Sequence, residues 1–294
     1  MPLLSPARAH VTLAMLPVWI IVLVGLIAST IWTFVISLTN SRLLPVYDFN
    51  AFEQYARLLK LHAWRVAVEN LFTFGILFII VCLAFGFLMA IMIDQRIRGE
   101  SLFRTIFLYP YAMSFVVTGL VWQWVLNPSY GIQASMRGMG FEQFSFDWIV
   151  RPDRAIYVLV LAAVWQGSGL VMAILLAGLR GVDDDLWNAT KVDGIPKWRV
   201  YLSIVLPLIA PMVATATVLL SISVVKAYDL VVALTGGGPG DATEVPAKFV
   251  MENLFARQNV ALANAGAIMM LMAVTAILVP MYFARRHLAR KTEG

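Results

Sequence analysis

The sequence holds a single cysteine, Cys82, inside an apolar run. That excludes an intrachain disulfide and a cysteine-based metal site. Histidine is nearly as scarce, and His10, His62 and His287 are too scattered to suggest a metal cluster. No Gly-Lys dipeptide occurs, so the chain lacks the phosphate-holding loop with which a nucleotide hydrolase grips ATP and magnesium. No Ser/His/Asp arrangement can be placed, and no carboxylate pair has a spacing that defines a shared pocket. Neither a catalytic residue nor a metal ligand is expected. Charge is thin as well: Asp, Glu, Lys and Arg make up 13% of the chain against 61% hydrophobic residues. This excludes the two soluble domains that 294 residues would otherwise allow.

What the chain has instead is apolar length. Runs near 20 residues recur, each long enough as a helix to cross roughly 30 Å of hydrocarbon. The reading is an all-α polytopic membrane protein, a single transmembrane domain over residues 1–294, with six spans at about 11–37, 71–93, 106–126, 154–179, 204–232 and 261–283. The first is longer than a signal-peptide core and has no small-x-small cleavage site, so it is expected to stay in the mature protein. The net charge of +5 does not point to nucleic acid, because the basic residues sit in short loops beside spans. Six spans put both termini on one side, and a modest Lys/Arg excess there makes that side cytoplasmic. Tyr109-Pro110-Tyr111 should kink the third span, since proline removes an amide donor. The stretch around Phe52–Leu59 is amphipathic and suits the membrane surface or the side of the bundle.

The longest polar interruption of the second half, residues 181–203, nevertheless reads as structured. Asp183 can cap a short helix, and its acidic neighbours suit the positive end of the helix dipole. Three consecutive aspartates at such a place read as capping, or as partners for another protein's arginine, rather than as metal ligands. Leu186, Ala189 and Thr190 fall at i, i+3, i+4 and make one face smooth enough to dock. Asp193-Gly194 is a turn signal, and Pro196 fits the first position of a second helix. A helix-turn-helix of this size between two spans is built to fit into another protein.

Leu186-x-Asn188-Ala189-Thr190-x-x-Asp193-Gly194, followed by Trp198, Ile204 and Leu206-Pro207, resembles the cytoplasmic coupling loop of ABC importer permeases. That motif runs Glu-Ala-Ala, three variable residues, Gly, and closes on Leu-Pro. Here Asn188 stands where the family has Glu and Thr190 where it has Ala. Tyr228-Asp229-x-x-x-x-Leu234-Thr235-x-Gly237-Gly238-Pro239 resembles a second signature, found in the carbohydrate branch of these permeases. The likeness covers nearly the whole chain and is closest to the permeases of glucose and mannose importers. It includes Ile31-Trp32-Thr33-Phe34, Gln54-Tyr55-Ala56-Arg57-Leu58, Asp94-Gln95-x-Ile97-Arg98 and Ala163-Val164-Trp165-Gln166-x-Ser168-Gly169. An importer of a related sugar glycoside, such as sulfoquinovosyl glycerol, stays open as an alternative within the same resemblance.

The resemblance implies a subunit in the bacterial inner membrane that moves a monosaccharide or small glycoside by alternating access. It implies a second homologous permease, two ATP-binding subunits and an extracytoplasmic solute-binding protein as partners. ATP and magnesium would belong to the ATPases, leaving this chain without a cofactor. Leu186, Asn188, Ala189, Asp193, Gly194 and Ile195 would couple to the ATPases. The substrate path would draw on Gln166, Gly167 and Leu170 of the fourth span and Ser223, Lys226, Tyr228 and Asp229 of the fifth. For Trp165–Gly169 close helix packing of small residues is an equal reading. For Lys226 and Asp229, at i, i+3, a plain ion pair that offsets the cost of charge in a span is the other. The glycine-rich run after Thr235 reads as a turn re-entering from the outer face. An ion-gradient-driven secondary transporter or channel is the alternative class; it calls for inverted repeats and broken helices in matched halves.

These readings set a topology test. With Cys82 changed to Ser, a cysteine placed at Lys197 is expected to react with an impermeant thiol reagent only from the cytoplasm, and one placed at Asp241 only from outside. The reverse pattern overturns the orientation.

Overall fold

The computed structural model describes residues 6–95 and 97–292, with side chains over 14–95, 97–276 and residue 279. The expectations for the first five residues, for Arg96 and for the basic side chains near the C-terminus lie outside what is described. Among the described residues the chain is helical, with one isolated backbone bridge between Thr39 and Phe49 in place of a sheet. It divides into two compact units, residues 1–61 with 249–271 and residues 62–248 with 272–294.

In the first unit, α1 (Pro6–Val22), a π-helical stretch (Leu23–Ala28) and α2 (Ser29–Ser37) run on without interruption. Their apolar side chains stay largely exposed from Ala14 to Val35, as lipid-facing residues do, and only Ile36 at the end turns inward. The amphipathic piece forms α3 (Glu53–Lys60), which turns Gln54 and Leu58 inward. Gln54 Nε2 donates to the Thr39 carbonyl at 3.2 Å, which anchors α3 to the end of α2.

The second unit is built around α4 (His62–Asp94) and α8 (Ala155–Arg180). Two-thirds of the apolar window of α8 is buried against one-third for α4, so α8 is the central helix. Hydrocarbon is no worse a solvent than leucine for an apolar face, so such helices associate through close packing at small residues. Gly86 of α4 meets Val171, and a Cβ there would lie 2.6 Å from Val171 Cγ1. Gly167 of α8 faces Phe78 and Cys82 of α4. Gly169, on another face, lets the backbone of Phe107 approach so closely that a Cβ would sit 2.0 Å from its carbonyl oxygen.

The second helix starts nine residues before the expected Leu71, because His62–Asn70 continues it as a polar extension. The expected third span is broken rather than merely kinked. The α5 (Glu100–Leu108) and 3₁₀ (Tyr109–Ala112) segment meets α6 (Phe115–Val125) at 99°. Pro110 accounts for the missing donor, and Ser114 restarts the helix by accepting from the Val117 amide at 3.3 Å. In the loop that follows, α7 (Ile132–Gly138) packs through the buried Gln133.

After α8 come α9 (Asp184–Val192), α10 (Lys197–Val200), a π-helical stretch (Tyr201–Val205) and α11 (Leu206–Leu208). The last three meet α12 (Ala210–Val225) at 75°, with Pro207 and Pro211 flanking the bend. A short α13 (Tyr228–Leu234), then α14 (Pro246–Met251), a π-helical stretch (Glu252–Ala256) and α15 (Val260–Thr292) complete the chain. Among the described residues three helices are long and apolar enough to cross a membrane, or up to five if each bent pair counts as one span; Val260–Ala276 is a further, shorter apolar stretch.

The Gly169 contact can be tested directly. Gly169→Ala must push the Phe107 backbone away, and overpacking of this kind costs roughly 1–3 kcal/mol. Thermal unfolding in detergent is expected to begin several degrees lower than for Gly25→Ala, whose added methyl meets nothing within 4 Å. Equal melting of the two variants would contradict the close approach.

Candidate functional site: the capped helix at the root of α8

Arg180 ends α8, and Asp183, three residues later, caps α9 by accepting from the Asp185 amide at 3.0 Å. The connection between the central helix and α9 is therefore only Gly181 to Asp183. At its other end α9 closes through a left-handed glycine, Gly194, with φ +67°. The Gly194 amide donates to Lys191 O at 3.2 Å and the Ile195 amide to Thr190 O at 3.1 Å, which satisfies the last carbonyls. Pro196 stands at the cap of α10 with ψ 136° rather than as its first helical residue, one position from where the sequence put it.

The faces of α9 also differ from the expectation. Leu186 and Thr190 turn inward together with Trp187, whereas Ala189 is exposed beside Asn188, Lys191 and Val192. The reason is Trp187. Its ring lies 5.3 Å from that of the buried Tyr201, and this contact rotates the helix away from a Leu186–Ala189–Thr190 docking face. Of the six residues expected to couple, Asn188, Ala189, Asp193 and Gly194 are on the outside, and Leu186 and Ile195 are half-buried against the core.

Behind α9 lies a cleft of about 870 Å³, lined among others by Asp94, Glu100, Arg180, Trp187, Lys191 and Tyr201. Gln95 Nε2 donates to Tyr201 Oη at 2.9 Å. Arg180 Nη2 lies 2.8 Å from Glu100 Oε1, and its Nε lies 4.0 Å from Asp94 Oδ1. The same Glu100 oxygen also takes Arg104 from one turn along α5. The hydrogen bond to Glu100 raises the Arg180 pKa further above its ordinary value, so the guanidinium stays charged. This cluster draws on the ends of α4, α5 and α8. Sequence reasoning did not find it, because its members are distant in the chain; the one available signal was the charge density of Asp94–Glu100.

The residues expected on a substrate path fall into two groups. Gln166 is buried, and its Nε2 donates 2.7 Å to the carbonyl of Met113 at the break before α6. Its Oε1 is buried without a partner. Gly167 is packed on Phe78 and Cys82, and Leu170 is half-buried. The other group lies on α12, α13 and the break between them. Ser223 Oγ donates to Leu219 O at 3.1 Å, and Tyr228 opens α13. No hydrogen bond or ion pair among the described residues joins the two groups. Lys226 and Asp229 form no ion pair either: both are exposed, and the helix breaks at Lys226 and Ala227, which cancels the i, i+3 alignment. The glycine-rich turn takes left-handed backbone at Gly236, Gly237 and Gly240. Asn70 Nδ2 fastens it to α4 through the carbonyls of Asp241 and Glu244 at 3.1 and 3.0 Å.

The fold is that of an ABC transporter permease. Over 97% of this chain and 96% of the other, it superposes on a subunit of a bacterial ABC transporter involved in the import of the acidic polysaccharide alginate, with a TM-score of 0.80 at 20% identity. In sequence, it is 33% identical over 283 residues to a probable ABC transporter permease protein of Pyrococcus horikoshii, covering 95% of this chain and 97% of the relative. It is 31% identical to the xylose/arabinose import permease protein XacH of Haloferax volcanii, over 90% and 85% of the two chains. It is 30% identical to the trehalose/maltose transport system permease protein MalF of Thermococcus litoralis, over 79% and 78%. Residues 83–294 match the family described as binding-protein-dependent transport system inner membrane component, and the chain belongs to that family.

Gly194 offers the sharpest test of the site. Nothing lies within 4 Å of a Cβ placed there, so any effect of substitution is conformational rather than a clash. Asn tolerates the left-handed region, but a β-branched residue is strained by roughly 1–3 kcal/mol. Gly194→Val is expected to abolish uptake at matched membrane insertion, and Gly194→Asn to keep most of it. Equal activity of both variants would remove the turn from the mechanism.

Proposed function

We propose that this chain is the transmembrane permease subunit of an importer that carries a monosaccharide or small glycoside across the inner membrane, driven by ATP hydrolysis in separate subunits. The observation that carries this reading is the similarity, over more than three-quarters of each chain, to permeases named for the import of pentoses and disaccharides. The two signatures around Asp193-Gly194 and Gly237-Gly238-Pro239 support the carbohydrate branch, and the resemblance over the rest of the chain supports the glucose- and mannose-type importers as the finer class. In this reading a solute-binding protein delivers the sugar at the outer face, and a second, homologous permease completes the cavity. Two ATPase subunits receive Asn188, Ala189, Asp193 and Gly194 from the exposed side of α9, with Leu186 and Ile195 holding that helix to the core. Six spans with both termini in the cytoplasm fit the two bent pairs counted as one span each and α15 as the last.

The mechanism follows from what the residues are attached to. ATP supplies the energy in the partner subunits. This chain converts their closure into movement of α9, which cannot shift alone because three residues tie it to α8 and Trp187 ties it to Tyr201. Gln166, Gly167 and Leu170 of α8, with Ser223, Lys226, Tyr228 and Asp229, would border the sugar. An amide such as Gln166 can both donate to and accept from hydroxyls. Lys226 and Asp229, exposed and unpaired with each other, would bond hydroxyls separately.

Co-purification and a sugar panel test this reading. The tagged chain is expected to bring down a second permease and an ATPase, and one sugar with its binding protein should stimulate hydrolysis in proteoliposomes. Uptake that persists without ATP and follows an imposed ion gradient would overturn it in favour of a secondary transporter.

A further inference from the structure

Three buried polar atoms without a hydrogen-bond partner flank one helix pair: Thr118 Oγ1 and Trp122 Nε1 of α6, and Gln166 Oε1 of α8. Thr118 is fully buried, and Gln166 is 4% exposed. Two contacts bracket this part of the α6–α8 interface. Just before α6 begins, the Met113 carbonyl accepts from Gln166 Nε2 at 2.7 Å. Further along, the Trp122 ring meets that of Trp165 edge-on, with centroids 5.9 Å apart. Thr118 lies one turn before Trp122 on the same face of α6, so it stands between the two contacts. Because a carbonyl only accepts, the Met113 bond fixes which end of the Gln166 amide is nitrogen and leaves Oε1 for another group. Gly119, next to Thr118, seats α6 on α13, where a Cβ would lie 2.6 Å from Ala233 Cβ. α6 is therefore wedged between α8 and the helix that opens with Tyr228 and Asp229.

We propose that Thr118 and Trp122, together with Gln166 Oε1, form a hydroxyl-binding subsite on the sugar path. The inference deepens the reading of this chain as a sugar permease and rests on it. The three atoms themselves select the ligand. Trp122 Nε1 only donates, Gln166 Oε1 only accepts, and Thr118 Oγ1 does either. A hydroxyl both donates and accepts, so hydroxyls satisfy every member of the set. A carboxylate would face the Gln166 oxygen and an ammonium the Trp122 N–H, so neither charge suits it. An apolar group would leave all three atoms buried and unpaired, which is costly. A sugar hydroxyl and an internal water share the required chemistry, and the experiment separates them.

The assembled transporter, with partner permease, ATPases and binding protein, is tested in proteoliposomes with D-glucose, D-mannose, D-xylose and maltose. Thr118→Val removes the hydroxyl at nearly constant volume, and Trp122→Phe removes the N–H but keeps an aromatic ring. For the sugar of this panel that is taken up, each variant is expected to lower kcat/KM about threefold to tenfold, as loss of one neutral hydrogen bond does. With one singly deoxygenated analogue of that sugar the loss should vanish, because the hydroxyl that met the missing group is gone. Thr118→Val should melt no lower than the parent without sugar, since it removes an unpaired buried group. An internal water predicts the opposite: Thr118→Val melts lower and costs the sugar and all its analogues the same factor. That pattern, or unchanged uptake in both variants, overturns the proposal. Should Trp122→Phe fail to assemble, Thr118→Ser takes its place; it restores the hydroxyl and must recover the uptake that Thr118→Val loses. Failure of the underlying reading looks different, because the unaltered complex would then take up none of the four sugars with ATP, and the subsite would fall with it.

Discussion

A carbonyl freed by a break in a membrane helix must find a donor, because hydrocarbon offers none. The bend before α6 frees the carbonyl of Met113, and Gln166 on α8 supplies its Nε2 at 2.7 Å. Much of the second unit depends on that bond and the glycine contacts beside it. Gly167 seats α8 on α4, while Gly169 admits the backbone of α5. A single stretch of α8 therefore holds the helix before it, the broken helix after that, and, through its own C-terminal end, α9.

This arrangement explains how a short surface helix can influence a distant membrane core. α9 buries little and would be marginal alone, being only nine residues long. Its cap, its left-handed exit and the Trp187–Tyr201 contact make it one rigid piece with the end of α8. Gln95 extends the connection to α4 through the Tyr201 hydroxyl. A push on α9 therefore acts on three helices at once. The bends at 109–114 and at Ile209 are natural places for the bundle to yield, since both already lack continuous helical hydrogen bonding.

Features set by local chemistry were legible in the sequence. Asp183 as a cap, the glycine turn after Asp193 and an interruption at Pro110, though not its full 99° bend, each depend on a residue type whose backbone preference is strong. Features set by rotation about a helix axis were not. Leu186, Ala189 and Thr190 share a face by spacing, yet the bulk of Trp187 decides which way that face turns. Lys226 and Asp229 share a face only if the helix continues, and nothing between Ser223 and Asp229 announces that it stops. The cluster of Asp94, Glu100, Arg104 and Arg180 joins residues up to 86 positions apart, beyond the reach of any periodicity argument.

The outward side of α9 has one more consequence. Asn188 replaces a carboxylate of the related motif, so this position brings an amide and no charge. Its side chain lies 3.5 Å from the Lys191 ammonium, one turn along the helix. Beside it Val192 is 88% exposed, and Trp198 at the start of α10 is 66% exposed. Exposed apolar residues this large suit an interaction surface, whether of protein or of lipid. On the proposed reading of α9 as the ATPase-facing segment, attraction there rests on shape and apolar contact around Val192 and Trp198. The acidic residues Asp183 to Asp185 stand at the opposite end of the helix, where they serve its cap and dipole. Docking through such a face should depend less on ionic strength than docking through a buried glutamate would, since salt screens charge and leaves apolar burial intact.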